Sequence, residues 1–180
     1  MIASALGFPE IVALLLDHGA QTKAQDERGT QALHAVAQFA FRSAETVRAQ
    51  RIIELLLKHG ADVNATNAAG QTPLLLLLGA RAEPGTNADQ KHLLVLLRQL
   101  LVAGVDVNAQ DQRGVSALHA CAMHGLLLPA RVLLAARADT SRRDVLDRSA
   151  REVAHLLGYI DVDSEIRSRE TDSLPLRNVE

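Results

Sequence analysis

Aromatic residues are almost missing from this chain: three Phe, one Tyr and no Trp make up 2% of its 180 residues. An all-β core normally draws on aromatic and β-branched side chains, so the scarcity argues for an aliphatic, helix-on-helix core. Cysteine is reduced to Cys121, which excludes an intrachain disulfide and any need for an oxidising compartment during folding. An excess of one charge is lacking too. A net charge of −2 and a pI near 6.4 give no electrostatic footprint for nucleic acid or an anionic membrane. The longest apolar run, Pro73 to Ala80, falls far short of the roughly 20 residues that span a bilayer, and the amino terminus has no charged n-region. No glycine-rich phosphate loop, H-E-x-x-H, CxxC pair or G-x-S-x-G occurs. The expectation is a soluble, cytoplasmic, all-α chain of one domain, without a cofactor, a metal or an active site of its own, and with neither nucleic acid nor membrane as a partner.

What the chain has in abundance is self-similarity. One phrase recurs as LLLDHGAQTKAQ from Leu14, LLLKHGADVNAT from Leu55, LLVAGVDVNAQ from Leu100 and LLAARADTSRR from Leu133. A second follows it as DERGTQALHAVA from Asp26, NAAGQTPLLLLL from Asn67, DQRGVSALHACA from Asp111 and, degraded, DVLDRSAREVAH from Asp144. Gly29, Gly70 and Gly114 mark equivalent points 41 and 44 residues apart, and Asp147 takes that place 33 residues further on, so the plain unit is 33 residues. Gly19, Gly60 and Gly104 each end an aliphatic segment, as a left-handed helix C-cap favours. Gly29, Gly70 and Gly114 sit in polar turns, and Thr72 or Ser116 then stands as the N-cap of a new helix, with Pro73 suited to a first turn. Each unit thus holds two apolar helices, and an isolated pair leaves an apolar face wet that only a stacked neighbour covers.

A period near 33 with this wording resembles the ankyrin repeat, whose pattern includes T-P-L-H-x-A, and the resemblance runs from Ala3 to about Leu157. It implies a solenoid of about five helix-turn-helix repeats with hairpin-like fingers. The units read as a partial repeat at 1–25, repeats at 26–66 and 67–110 that carry insertions between their helices, a regular repeat at 111–143, a degenerate capping repeat at 144–168 and a polar tail at 169–180. The chain starts in mid-repeat, since Gly7 to Glu10 matches the link into a second helix; either a longer protein precedes it or residues 1–7 form a reduced cap. The insertions fall around Phe39 to Gln50 and Arg81 to Gln90, side by side, with Ser43 and Thr86 or Asn87 as candidate caps of lengthened second helices. Arg137 replaces a C-cap glycine and Asp147 a turn glycine, so the stack is ending there. Arg131 to Arg151 holds six arginines against three aspartates and reads mainly as a solvated, self-neutralised face.

The resemblance also implies the function. Such proteins bind other proteins with the turn tips and the exposed side of the first helices, along a concave groove. By motif register those positions are Glu27, Arg28, Thr30 and Gln38 in one unit, Ala68, Ala69 and Gln71 in the next, and Gln112, Arg113, Val115, Met123 and His124 in the third. Small neutral tips between Arg28 and Arg113 point to a partner with an apolar strip flanked by acidic groups. An alternative patch is Phe39, Phe41, Arg42, Arg48 and Arg51, because two of the three Phe residues lie in a non-repeat segment. The resemblance assigns His34 and His119 to tying neighbouring turns together, and makes Asn64 and Asn108 hydroxylation candidates in a eukaryotic cell. His119, Cys121 and His124 form no convergent metal or nucleophile set, since at about 100° per residue the two histidines point roughly 140° apart. The main reading is a protein-binding scaffold or adaptor. The alternatives are a targeting or regulatory arm of a larger enzyme or secreted bacterial effector, and an inhibitor or immunity-like protein.

Overall fold

The computed structural model describes residues 1–43 and 45–172. Among these, ten helices alternate between two layers. The first layer holds α1 (Ile2–Ala5), α3 (Ala32–Arg42), α5 (Pro73–Leu77), α7 (Ala117–His124) and α9 (Ala150–Leu156). The second holds α2 (Pro9–Asp17), α4 (Thr46–Lys58), α6 (Gln90–Val102), α8 (Leu127–Ala135) and α10 (Ile160–Asp172). Each helix packs on its predecessor and successor within its own layer, so the chain is an all-α solenoid of stacked pairs. Leu, Ile, Val and Ala fill the core between the layers, with Ile52, Ile53, Leu75, Leu77, Leu93, Leu96 and Leu97 fully buried. At the amino-terminal end, α2 leaves Ile11 and Leu15 nearly half exposed, whereas the residues in the same register of α4, Ile52 and Leu56, are sealed by the preceding helix pair.

The turns between pairs repeat to the atom. The Oδ1 atoms of Asp26, Asn67, Asp111 and Asp144 each accept two backbone N–H bonds, from the residues two and four further on, at 2.8–3.0 Å. Neighbouring tips are then joined by the amides of Ala68, Gln112 and Val145, which donate to the carbonyls of Arg28, Ala69 and Arg113. A second ladder runs along the opposite loops. The side chain of Asn64 accepts from the Asp106 amide and donates to Gly104 O, and that of Asn108 accepts from the Asp139 amide. Each asparagine therefore fixes the spacing to the unit that follows.

Two kinds of left-handed glycine carry different constraints. Gly29, Gly70 and Gly114 have φ near +70°, and a Cβ on any of them would meet the backbone of the next tip at 2.8–3.1 Å. Gly19, Gly60 and Gly104, with φ near +80°, face open space. This explains where glycine is lost. Arg137, at φ +62°, stands in the open class, and Asp147, at φ +58°, stands at the last tip among the described residues, with its side chain 88% exposed. Both still carry left-handed strain, so Arg137→Gly is expected to raise stability by about 1 kcal/mol in a urea titration, because relief of that strain exceeds the entropy glycine adds to the unfolded chain.

The insertions are built differently from the sequence expectation. Ser43 is not an N-cap but the residue that ends α3, because Ala40 and Phe41 continue that helix into the core. α4 starts after Glu45, with no side-chain cap. The N-cap of α6 is Asp89, whose carboxylate accepts from the amides of Lys91 and His92, and not Thr86 or Asn87. Thr86 instead closes a local turn on Glu83 O. The two insertions do meet: buried His92 in α6 contacts Ala40 O at 2.9 Å and Thr46 Oγ1 at 2.5 Å.

At the carboxy-terminal end α10 buries Val162 and Ile166 while its other faces stay polar. Arg131–Glu165 at 2.8 Å and Arg151–Glu170 at 2.7 Å tie it to α8 and α9. Most of the arginine-rich stretch is consumed this way, for Arg142, Arg143 and Arg148 also pair with Asp139, Glu152 and Asp144. Residues 169–172 form the last turn of α10, and the rest of the expected polar tail lies outside the described residues.

Candidate protein-binding groove

The turn tips present one row of side chains and the first-layer helices another. At the first tip Glu27 and Arg28 are exposed and Thr30 is half-buried, because the Asp26 turn spends its backbone amides internally and turns side chains outward. The Thr30 amide on Asp26 holds that carboxyl below the usual carboxylate range. Ala68 and Ala69 are exposed at the second tip, and Gln112 and Arg113 at the third, where Gln112 Nε2 donates to Ala68 O at 2.9 Å. Gln38 and Met123 on α3 and α7 are half-buried.

Three of the expected groove residues are not surface residues. Gln71 is 5% exposed and Val115 6%, because each follows the turn glycine and points inward just ahead of the helix cap; Gln71 Oε1 accepts from Asn67 Nδ2 instead. His124 is 6% exposed because the preceding insertion wraps over it. Its Nε2 lies 3.0 Å from Gly79 O, and its ring is 5.1 Å from that of Phe41. Phe41 is itself buried, which removes it from the alternative patch. Arg113 is exposed but occupied: its guanidinium pairs with Asp111 at 2.8 Å and donates to Ala80 O at 2.7 Å.

The remaining patch residues divide. Arg48 and Arg51 sit on α4 in exposed pairs with Glu45 and Glu54, a type worth about 0–1 kcal/mol, and do not line the cavity that Arg28, Thr30 and Gln38 border. Phe39 lies half-buried with its ring against Gly7, where any Cβ would collide with it. Together with Arg42 it faces the groove. A cavity of about 650 Å³ is lined by Arg28, Thr30 and Gln38 from the groove set, by Phe39 and Arg42 from the patch, and by Arg81. Part of each of the two sets that the sequence separates thus lines one cavity. Ile2, Ala35 and Arg81 also line it, at positions that motif register does not mark. The available signal was positional: Arg42 and Arg81 each follow a buried residue, Phe41 and Ala80, at the point where a first-layer helix hands over to an insertion. A second cavity of about 330 Å³ continues from Arg28 and Arg81 past Ala68, Ala69 and Gln112.

The reactive-looking side chains serve the fold. His34 Nε2 lies 3.0 Å from the carbonyl of Ala65 at the end of its own unit and 3.0 Å from that of Gln71 in the next, while its Nδ1 accepts from the Gln31 amide. His119 Nε2 reaches Arg148 O at 2.9 Å, and its Nδ1 faces Ser116. Burial pushes both imidazoles below the usual histidine range. Burial also pushes the Cys121 thiol far up, leaving it un-ionised. Among the described residues, no group of three or more His, Cys, Asp and Glu side chains is arranged to hold a metal ion. No described helix is long and apolar enough to cross a membrane.

Comparison with known proteins fits this geometry. A family model described as ankyrin repeats (3 copies) matches residues 1–81. The mouse B-cell lymphoma 3 protein homolog is 27% identical over 184 residues, covering 86% of this chain and 39% of that protein. Human SH3 and multiple ankyrin repeat domains protein 2 is 28% identical over 192 residues, covering 93% and 10%. Human ankyrin repeat and SOCS box protein 6 is 33% identical over 106 residues, covering 59% and 23%. The chain thus spans two fifths or less of the length of these relatives.

Proposed function

Because this chain belongs to the ankyrin-repeat family, whose repeats generally act as protein–protein interaction modules, we propose that it is a non-catalytic scaffold or adaptor that holds a partner protein along the groove of turn tips and first-layer helices. The observation that carries the reading is the continuous opening beside those elements. Two cavities share Arg28 and Arg81 and run from α1 and α3 to the tip at Gln112. Polar groups beside it serve the fold: the tip Asp and Asn side chains cap turns, and His34 and His119 bridge to the following tips.

Ala68 and Ala69 form the narrow part of this path, where small side chains leave room for another backbone. Ala68→Glu/Ala69→Glu should therefore abolish retention of the partner captured from source lysate, read by mass spectrometry. Val102→Glu, on the second layer at a residue 91% exposed, should leave it unchanged. Loss with Val102→Glu alone would move the binding surface to the other layer.

A further inference from the structure

The insertions give the larger cavity a composition that the plain repeat does not supply. Eight arginines, at 48, 51, 113, 131, 142, 143, 148 and 151, pair with carboxylates within 4 Å. Arg28, Arg42 and Arg81 form no ion pair with a described residue, although all three are exposed and line one cavity. One comes from a turn tip, one from the end of α3 and one from the loop after α5. The carboxylate among them, Asp26, is held by the amides of Arg28 and Thr30 and also feels the charge of Arg28, with no ion pair within 4 Å. Between the cations lies an apolar floor of Ile2, Ala35 and Phe39, with Ile2 77% exposed.

Resting on the groove reading above, we propose that the partner segment is an acidic stretch carrying one bulky apolar side chain, which seats over Phe39 and Ile2 while flanking carboxylates pair with Arg42, Arg28 and Arg81. The pairing is chemical. Guanidinium forks donate to carboxylates in bidentate geometry, and cations without a close carboxylate partner, set around an apolar patch that a bound segment would desolvate, give both steering and register. The narrower cavity at Ala68 and Ala69 then leads the chain of the partner onward past Gln112. Nucleic acid fits less well. Its affinity rests on phosphate contacts spread along a basic track, whereas this chain is net negative and the cations surround an apolar floor.

The test is selection of a displayed random-peptide library on the wild-type chain, with each enriched peptide then titrated against Arg42→Glu/Arg81→Glu and against Ala68→Glu/Ala69→Glu. Both variants must first unfold at the wild-type temperature, as exposed, unpaired side chains permit. The expected result is a set rich in Asp and Glu around one Phe, Leu or Trp. Affinity should drop about tenfold or more in the arginine variant, fall when salt is raised, and fall again when the apolar residue of the peptide is changed to Ala. Peptides without acidic residues that lose affinity only in the alanine-tip variant would overturn this proposal and leave the groove reading standing. Peptides indifferent to both variants, or no enrichment, would overturn both. Binding of a labelled single-stranded oligonucleotide that depends on Arg42 and Arg81, with no acidic peptide enriched, would replace the protein segment by nucleic acid.

Discussion

Gly114→Ala is expected to destabilise the chain by about 3 kcal/mol or more, and Gly104→Ala by about 1 kcal/mol. Both glycines are left-handed, at φ +70° and +83°, so both variants carry the strain of an L side chain there. They differ in surroundings. The added Cβ at position 114 would lie 2.8 Å from Asp144 Cα and 2.9 Å from Arg143 O, whereas position 104 is open. Backbone atoms of the next tip cannot swing aside as a flexible side chain would, so the tip must move and strain the Val145-to-Arg113 amide bond and the seat of His119 against Arg148 O. A midpoint difference of several degrees between the two variants in thermal unfolding checks this. Equal losses would mean that the tips are not held in contact.

Acid is expected to loosen the stack well above the range where carboxylates titrate. Burial depresses His34, His119 and His124 in the folded state below their usual 6.5. As pH falls through the unfolded value, the unfolded chain therefore takes up protons first, and stability present above about pH 7 is lost on the way down to the folded values. The geometry says why the folded state resists: Nδ1 of His34 and His119 accepts a backbone N–H from Gln31 and Ser116, and a proton there would set donor against donor. Each group adds a slope of at most about 1.4 kcal/mol per pH unit, so three together bound it at about 4. Urea midpoints at about pH 7.5 and about pH 5.5 read this directly. The difference should shrink in His34→Gln and again in His34→Gln/His119→Gln, and a midpoint that does not change with pH in the wild type would contradict the assignment. Asp26, Asp139 and Glu152, whose carboxyls are held low by hydrogen bonds to Thr30, Ser141 and Ser149, act in a separate, more acidic window.

The fold was legible because the same short phrase specifies the same local bonds several times. Asp or Asn at 26, 67, 111 and 144 caps a tip, glycine follows three residues later at the first three tips and Asp147 at the fourth, and stacking on a neighbour covers the aliphatic helices after it. Legibility failed where a residue lies outside the phrase. Ser43 has the chemistry of an N-cap, but burial of Phe41 decides that α3 runs to Arg42. Asp89 was a better cap than Thr86 or Asn87 only once the register of α6 was fixed by His92 and Leu93 facing the core. The groove suffered the same way. Register alone placed Gln71, Val115 and His124 on the surface, although inward packing and an overlying insertion bury them. It also paired Arg28 with Arg113, whose charge Asp111 already neutralises, and overlooked Arg81, which shares the cavity. Local bonds are written in the sequence; which insertion covers which helix depends on packing between units.

Hydrogen exchange on the chain with and without a saturating partner segment tests the central claim most directly, because it reports on every unit at once. The groove account predicts added protection at the tips around Arg28 and Ala68 and along α3 and the loop at Arg81, with α4, α6 and α10 unchanged. Protection confined to the second-layer helices or to α10, with the tips exchanging as in the free chain, would contradict it.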